Sequence, residues 1–141
     1  MKLVQINETL WVAPQIDPDD FAELKERGFT AIVNNRPDEE EPGQPTAAEA
    51  AATAASLGMA YSHLPFSGYG FDEALVREHQ AALAAQPGPA VAHCRSGTRS
   101  LTIWTIGEVL DGRMAIEDVD AFGQRHGFDL SGVHRWFGNR K

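Results

Sequence analysis

The chain is poor in cysteine, with Cys94 as the single one among its 141 residues. One cysteine cannot form an internal disulfide, so the fold does not depend on a disulfide framework and a reducing, cytoplasmic compartment is expected. Cysteine-rich metal sites are excluded as well, and no His-x-x-x-His pair occurs. We therefore predict neither a metal site nor another cofactor.

Basic residues are also scarce, with 12 Lys and Arg against 20 Asp and Glu and a formal net charge of −8. This balance argues against a nucleic-acid partner, which would need a basic face. No apolar run approaches the roughly 18 residues that span a bilayer, and residues 1–12 do not resemble a secretory signal, so no membrane partner is expected. The length and the 43% hydrophobic content predict one globular domain over residues 1–141.

Strand-like and helix-like segments alternate along the chain. Short apolar, β-rich segments at 3–6, 10–13, 29–34, 59–64 and 89–92 predict strands. Helical patterns occupy 18–27, 46–57, 72–86, 101–110, 116–126 and 131–137. This order predicts an α/β fold with a central, mostly parallel sheet of four or five strands and helices on both faces.

Three predicted loops leave the carboxyl ends of strands, at 35–45, at 65–71 and directly after the strand that precedes Cys94. In open α/β sheets, ligands bind outside the carboxyl ends of the strands. We therefore expect the three loops to frame one pocket.

The stretch from His93 to Ser100 (His-Cys-Arg-Ser-Gly-Thr-Arg-Ser) carries the strongest chemical signal. A thiol on a strand-to-helix turn faces the free N–H groups and the positive end of the helix, and both favour the reactive thiolate. Gly97 lets the backbone close around an anion, Arg99 offers a forked donor and Ser100 offers a hydroxyl. These parts suit a site that binds an oxyanion and attacks it with sulfur, although a lone cysteine can also be an inert core residue.

Two aspartates are candidate general acids. Asp72 precedes a predicted helix, so it could protonate a leaving oxygen or simply stabilise the N-terminus of that helix. We favour the helix-stabilising role for Asp72, and Asp38 is the second candidate acid.

Three further residues are candidates for the substrate pocket. Arg36 follows a central strand and precedes a proline, which suits a fixed substrate contact, but it could equally pair with Glu39 to Glu41 at the surface. His93 is interpreted as a buried donor to the loop backbone, with a proton shuttle as the alternative. Tyr69 could form a pocket wall or pack its glycine-containing loop.

Four segments resemble a known family: 32–38 (Ile-Val-Asn-Asn-Arg-Pro-Asp), 40–45 (Glu-Glu-Pro-Gly-Gln-Pro), 63–65 (His-Leu-Pro) and 93–100. The chain resembles the phosphatase-like domain of beta-lactamase hydrolase-like proteins, which implies a dual-specificity-phosphatase-like fold. The resemblance implies that Cys94 is the nucleophile, that Arg99 binds the anion and that Ser100 steadies the departing thiolate. It also implies that backbone amides form the anion cradle, those of Arg95, Ser96, Gly97, Thr98 and Arg99.

The spacing departs from the phosphatase signature. Arg99 lies five positions after Cys94 rather than six, as in rhodanese-type sulfurtransferases, whereas His93 is typical of phosphatases. Three hypotheses follow: a phosphomonoesterase with a phosphocysteine intermediate, placed first; a sulfurtransferase with a Cys94 persulfide; and a non-catalytic anion-binding module. The expected partners are a small anionic substrate, either a phosphate ester or a sulfane-sulfur donor, and, for the sulfurtransferase hypothesis, a thiol acceptor or a sulfur-metabolism protein.

Overall fold

The computed structural model describes residues 1–140 and is built around one five-stranded sheet. The strands are β1 (Val4–Gln5), β2 (Leu10–Ala13), β3 (Ala31–Asn34), β4 (Ala60–His63) and β5 (Ala90–His93). Their order across the sheet is β1-β2-β5-β3-β4, and β1 is antiparallel to β2 while the other neighbours are parallel. The predicted mostly parallel sheet is confirmed.

β5 lies in the middle of this sheet, between β2 and β3. His93, its last residue, pairs with Ala13 of β2 and with Asn34 of β3. Asn34 in turn pairs with His63 at the end of β4. Because these strands are parallel, their carboxyl ends and the segments that follow them meet at one edge of the sheet.

Six helices connect and follow the strands: α1 (Phe21–Glu26), α2 (Ala47–Ser56), α3 (Glu73–Leu83), α4 (Thr98–Leu110), α5 (Val119–His126) and α6 (Ser131–Asn139). Short 3-10 helices at Pro18–Asp20 and Ile116–Asp118 replace the first turns predicted for α1 and α5. α3 ends three residues earlier than predicted, before the Pro87–Pro89 turn. In the part of the chain described, no helix has the length and apolarity to cross a membrane.

Apolar clusters cover both faces of the sheet. One face packs against α3, α4 and α6 through residues such as Val12, Ala92 and Val33. The alternate residues Val91 and Ile32 pack with α1 and α2 on the other face. This alternation along each strand follows from the period of two, and it confirms helices on both sides.

The loop between β4 and α3 is fastened to α6. The Trp136 ring N–H donates to the Phe71 carbonyl at 2.8 Å. The ring of Tyr69 lies directly over Gly132, where a Cβ atom would overlap it. Burial of these aromatic groups holds the 65–72 loop against the C-terminal helix.

Candidate active site

Cys94 occupies the predicted position, directly after the central strand β5 and at the start of the turn into α4. Its side chain is fully buried, and Sγ accepts a hydrogen bond from the Gly97 N–H at 3.1 Å. The peptide dipoles of α4, whose N-cap is Gly97, point their positive end at this turn. The sulfur therefore lies at the positive end of α4, within hydrogen-bond distance of a backbone amide.

Gly97 is required by the shape of this turn. Its φ of 95° lies in the left-handed region, which side-chain-bearing residues rarely adopt. A Cβ atom there would also lie 3.1 Å from the Phe128 ring and 3.3 Å from the Ala13 carbonyl oxygen. Close packing on both sides thus fixes the amide that binds the sulfur.

Arg99 lies beside the sulfur and is held by two acceptors from other loops. Its Nη1 donates to Glu40 Oε2 at 2.9 Å and to the Phe66 carbonyl at 3.0 Å, and its Nη2 donates to Glu40 Oε1 at 2.8 Å. The Glu40 carboxylate, and with it the charge of the Cys94 sulfur, raises the pKa of Arg99. Of the five guanidinium N–H donors, these bonds occupy three.

The remaining donors of Arg99, Nε–H and the second hydrogen of Nη2, share one edge of the guanidinium. Among residues 1–140 no carboxylate or carbonyl oxygen accepts from that edge, and a hydrogen-bond interaction with the Cys94 sulfur also raises the pKa of Arg99. Such an edge matches two oxygens of a tetrahedral anion. Glu40 therefore fixes the orientation of the arginine and leaves an edge whose geometry suits a bidentate anion.

Glu40 is the functional residue that the sequence analysis missed, because its acidic run is typical of a solvated loop. The hydrogen bond from Arg99 is the largest cause that lowers the pKa of the Glu40 carboxyl to about 2; burial opposes it, and the hydrogen bond from Arg36 and the charges of both arginines lower the pKa further. The carboxylate stays ionised throughout the physiological range and cannot serve as a general acid. The sequence feature that could have indicated this pairing is that Arg36 and Glu40 lie four positions apart, with a proline directly after Arg36.

Glu40→Gln is expected to reduce stability most at neutral pH, by roughly 3 to 8 °C in Tm, since one member of a paired charge network is lost. The folded pKa of about 2 lies below the ordinary value of 4.5, so the contribution is complete above pH 4.5 and declines toward pH 2. Urea unfolding at pH 7, 5 and 3 measures this. A difference between the two proteins that stays constant from pH 7 to pH 3 contradicts the assignment.

Arg36 pairs with acidic residues, as in the alternative considered from sequence, but in the interior rather than at the surface. Its side chain is fully buried, with Nε 2.9 Å from Glu40, Nη2 3.0 Å from Glu41 and Nη1 3.1 Å from Gln15. Every nitrogen of the guanidinium is thus engaged by the protein itself. Arg36 ties the 37–46 loop to the sheet rather than presenting itself to a substrate.

Both candidate acids stabilise helix N-termini. Asp72 is exposed, and its Oδ1 accepts from the Leu75 N–H at 3.4 Å at the start of α3. Asp38 accepts from the Ala47 N–H at 2.9 Å at the start of α2. The favoured role of Asp72 matches this geometry, and neither aspartate has a contact with Cys94 among the hydrogen bonds of residues 1–140.

His93 is buried in the sheet, and burial lowers its pKa to about 4, so the ring is neutral at pH 7. Neither ring nitrogen has a partner of good geometry within residues 1–140, although the Cys94 backbone lies near enough to oppose the shift. A neutral ring in this position does not favour the proton-shuttle alternative.

Tyr69, the proposed pocket wall, packs against Phe66 and Gly132.

The other residues of the cradle form its rim. The Ser96 hydroxyl donates to the Thr98 hydroxyl at 3.1 Å and accepts weakly from the Thr98 N–H at 3.4 Å. The Arg95 side chain is 64% exposed, 3.8 Å from Glu41. Thus Gly97 is the cradle residue whose amide meets the sulfur, while Arg95, Ser96 and Thr98 lie around it.

Ser100, which the resemblance implied would steady the departing thiolate, has a different hydrogen-bond partner in the structure. Its hydroxyl donates to Asn35 Oδ1 at 2.8 Å. Within the described chain, no hydrogen bond joins it to the Cys94 sulfur, which accepts from Gly97. The hydroxyl of Ser100 is directed to the end of β3 instead of to the Cys94 sulfur.

The pattern of residues 2–111 matches the family model described as "Beta-lactamase hydrolase-like protein, phosphatase-like domain". The chain belongs to this family. Beta-lactamase hydrolase-like proteins from Agrobacterium fabrum and from Xylella fastidiosa strain Temecula1 are 46% and 42% identical over 136 residues, 96% of this chain. That region is 32% of each relative, so this chain spans about a third of their length.

Solved structures place the phosphatase-like domain among the dual-specificity-phosphatase-like folds. A protein from Neisseria meningitidis Z2491, described as a candidate phosphatase, superposes with a TM-score of 0.80 at 25% identity over 97% of both chains. TpbA of P. aeruginosa superposes with a TM-score of 0.68 at 16% identity, over 99% of this chain and 84% of its own. The fold inferred from the sequence resemblance is confirmed.

Proposed function

We propose that this phosphatase-like domain hydrolyses small phosphomonoesters with Cys94 as the nucleophile. One observation carries the proposal: the Cys94 sulfur accepts a hydrogen bond from the Gly97 amide at 3.1 Å, beside an arginine with one two-donor edge that no protein oxygen occupies among residues 1–140. Binding two phosphoryl oxygens at this edge would place phosphorus in front of the sulfur. The cradle amides and Arg99 would stabilise the charge on the transferring group.

The reaction takes two steps. The thiolate attacks phosphorus, a P–S bond forms, and the P–O bond breaks as the alcohol oxygen leaves with the bonding electron pair and takes a proton from solvent. Water then attacks the phosphocysteine, the P–S bond breaks, and phosphate and the thiolate are released. Glu40 contributes by orienting Arg99 through both steps.

A second candidate function is sulfur transfer, which is favoured by the commitment of Asp38 and Asp72 to helix N-termini. The thiolate attacks the outer sulfur of thiosulfate, the S–S bond breaks, and sulfite leaves without needing a proton. A thiol acceptor then takes the outer sulfur from the Cys94 persulfide. Sulfur transfer therefore does not require a general acid, the role that neither Asp38 nor Asp72 is placed to take.

Two assays on the purified chain discriminate these functions. The phosphatase is supported if the chain hydrolyses an aryl phosphate, if Cys94→Ser does not, and if thiosulfate causes no stable gain in the mass of the wild type. A gain of one sulfur atom on Cys94, with no hydrolysis, overturns it in favour of sulfur transfer. Failure of both assays leaves the anion-binding module.

Asp72→Asn is expected to reduce turnover less than about threefold, because the carboxylate caps α3 rather than reaching the sulfur. The amide oxygen can still accept from the Leu75 N–H, so the loss of stability is below about 1 kcal/mol. Steady-state hydrolysis of an aryl phosphate measures the effect. A hundredfold fall in kcat with unchanged Tm would show instead that Asp72 donates the proton.

We further propose that the chain works in a reducing compartment, because Cys94 must remain a free thiol. A thiol-bearing acceptor is proposed as a partner only in the sulfur-transfer mechanism.

A further inference from the structure

The carboxylate of Glu40 lies between two arginines. Its Oε1 accepts hydrogen bonds from Arg99 Nη2 at 2.8 Å and from Arg36 Nε at 2.9 Å, so both guanidinium groups share one oxygen atom. Its Oε2 accepts from Arg99 Nη1 at 2.9 Å. Glu40 therefore links the arginine of the cradle to a second arginine deeper in the fold.

Arg36 is the buried end of this arrangement. Its side chain is 0% exposed, whereas those of Glu40 and Arg99 are 23% and 16% exposed. Nη2 of Arg36 donates to Glu41 at 3.0 Å, but the Glu41 side chain is 46% exposed, so solvent screens its charge. Glu40 is therefore the carboxylate that interacts more strongly with Arg36.

The charges of Arg36, Glu40 and Arg99 together determine how strongly the cradle attracts an anion. Glu40 and Arg99 alone would form a neutral pair, and an anion at the free edge of Arg99 would be attracted by one charge and repelled by the other. With Arg36 included, this group of three side chains keeps one positive charge. Charges interact more strongly in the protein interior than in water, so the charge of a buried arginine still acts at the cradle.

The effect of Arg36 on His93 shows that its charge reaches the end of β5. Burial is the largest cause that lowers the pKa of His93 to about 4, a backbone hydrogen bond with Cys94 opposes it, and the charge of Arg36 lowers the pKa further. His93 directly precedes Cys94. The field of Arg36 therefore extends to the strand end that carries the cradle.

We propose that Arg36 is a positioning residue that acts through Glu40: it offsets the charge of the carboxylate that orients Arg99, so that Arg99 is held in place without losing its attraction for an anion. The proposal rests on the proposed function, in which Arg99 binds the phosphoryl group. It concerns the affinity of the site for an anion, so it can be tested without turnover.

Glu40 remains ionised at pH 7 when Arg36 is replaced. The hydrogen bond from Arg99 is the largest cause that lowers the pKa of Glu40 to about 2, and Arg99 is present in every variant below. Replacing Arg36 by glutamine therefore leaves the group of three side chains without net charge. Replacing Glu40 by glutamine as well restores one positive charge, and the new amide oxygen can still accept from Arg99.

The experiment measures the dissociation constant of inorganic phosphate by isothermal titration calorimetry at pH 7 and constant ionic strength. Arg36→Gln is expected to bind phosphate about tenfold more weakly than the wild type. The double variant Arg36→Gln with Glu40→Gln is expected to return to within about threefold of the wild type, although it has lost two members of the network. A merely structural role of Arg36 would not give this recovery, because the second substitution would only weaken the network further.

Arg77→Gln is the matched control. Arg77 also pairs with two carboxylates, those of Glu73 and Asp111, and it also contacts a glutamine, Gln80. Asp111 follows the last of the 13 residues of α4, so this network lies about 20 Å from the cradle at the other end of the helix. Arg77→Gln is expected to leave the dissociation constant within about twofold. An equal loss in this control would trace the effect to the net charge of the whole chain and overturn the proposal.

Arg36→Lys decides the question if Arg36→Gln does not fold by circular dichroism. Lysine keeps the positive charge but not the fork, and the variant is expected to bind phosphate within about threefold of the wild type. A tenfold loss would show that charge is not what Arg36 supplies. Wild-type affinity in Arg36→Gln, or no recovery in the double variant, also overturns the proposal.

These outcomes differ from a failure of the proposed function. A wild type that binds phosphate but hydrolyses no aryl phosphate would refute the phosphatase, and the comparison of affinities would still decide the role of Arg36. A wild type that hydrolyses the ester, with equal phosphate affinity in Arg36→Gln, would refute only the role of Arg36. Absence of phosphate binding in the wild type would contradict both.

Discussion

Cys94→Ser is expected to lower kcat/KM for an aryl phosphate by at least about 10⁴-fold, and to abolish sulfur gain from thiosulfate as well. The serine hydroxyl is not ionised beside the Gly97 amide, so neither P–O nor S–S cleavage has a nucleophile. Steady-state rates and intact mass after incubation measure the two losses. A serine variant within tenfold of wild type would show that the sulfur is not involved.

The same variant provides its own control for folding and binding. Serine replaces the sulfur by a smaller atom at the same position of the side chain, so it fits without a clash, and the Gly97 amide and Arg99 remain in place. Inorganic phosphate is therefore expected to raise the Tm of Cys94→Ser as much as that of the wild type. If phosphate does not raise the Tm of Cys94→Ser, the inactivity of the variant results from a collapsed cradle rather than from the missing sulfur.

Arg99→Lys is expected to reduce kcat/KM by about 10² to 10³-fold although the charge is kept. The guanidinium donates to Glu40 through Nη1 and Nη2 and to Phe66 through the second hydrogen of Nη1, and it keeps the edge of Nε and Nη2 for substrate. A single ammonium group cannot reproduce this arrangement. The fall is expected mainly in kcat, because the charge on the transferring group grows in the transition state. Kinetics with an aryl phosphate measure kcat and KM separately.

Arg113→Lys is the matched control for this substitution. Arg113 is 56% exposed and pairs with Glu108 and Asp111, away from the carboxyl edge of the sheet. The same change of side chain there is expected to leave kcat/KM within about twofold. If both lysine variants lose activity equally, the effect is not specific to the cradle.

The residues that carry local signals were predictable. Within ten residues the sequence contains β5, Cys94, Gly97 and Arg99, so the local pattern predicts that these residues share one strand-to-helix turn. The order of alternating strands and helices similarly predicts the sheet. Helix onset was less certain: Asp17 precedes a proline like an N-cap, yet its side chain makes no capping bond in the described structure, and a 3-10 turn forms instead.

The residues that depend on tertiary contacts were not predictable. Glu40 reaches Arg99, 59 positions later, because the 37–46 loop folds back over the carboxyl edge. From the sequence, Asn35 is only a polar residue at a strand end, whereas in the structure its side chain donates to the Leu64 carbonyl and accepts from the Ser100 hydroxyl. The positions of these residues in the sequence do not show that their side chains lie within hydrogen-bond distance of each other.

The fastening of the 65–72 loop to α6 has a consequence for substrate choice. Swinging Asp72 toward the sulfur would break the bond from Trp136 to Phe71 and lift Tyr69 from Gly132. With no acid delivered, the departing group must be a stable anion in its own right. Rates across a series of phenyl phosphates are accordingly expected to rise steeply with the acidity of the phenol, and alkyl esters to be poor substrates.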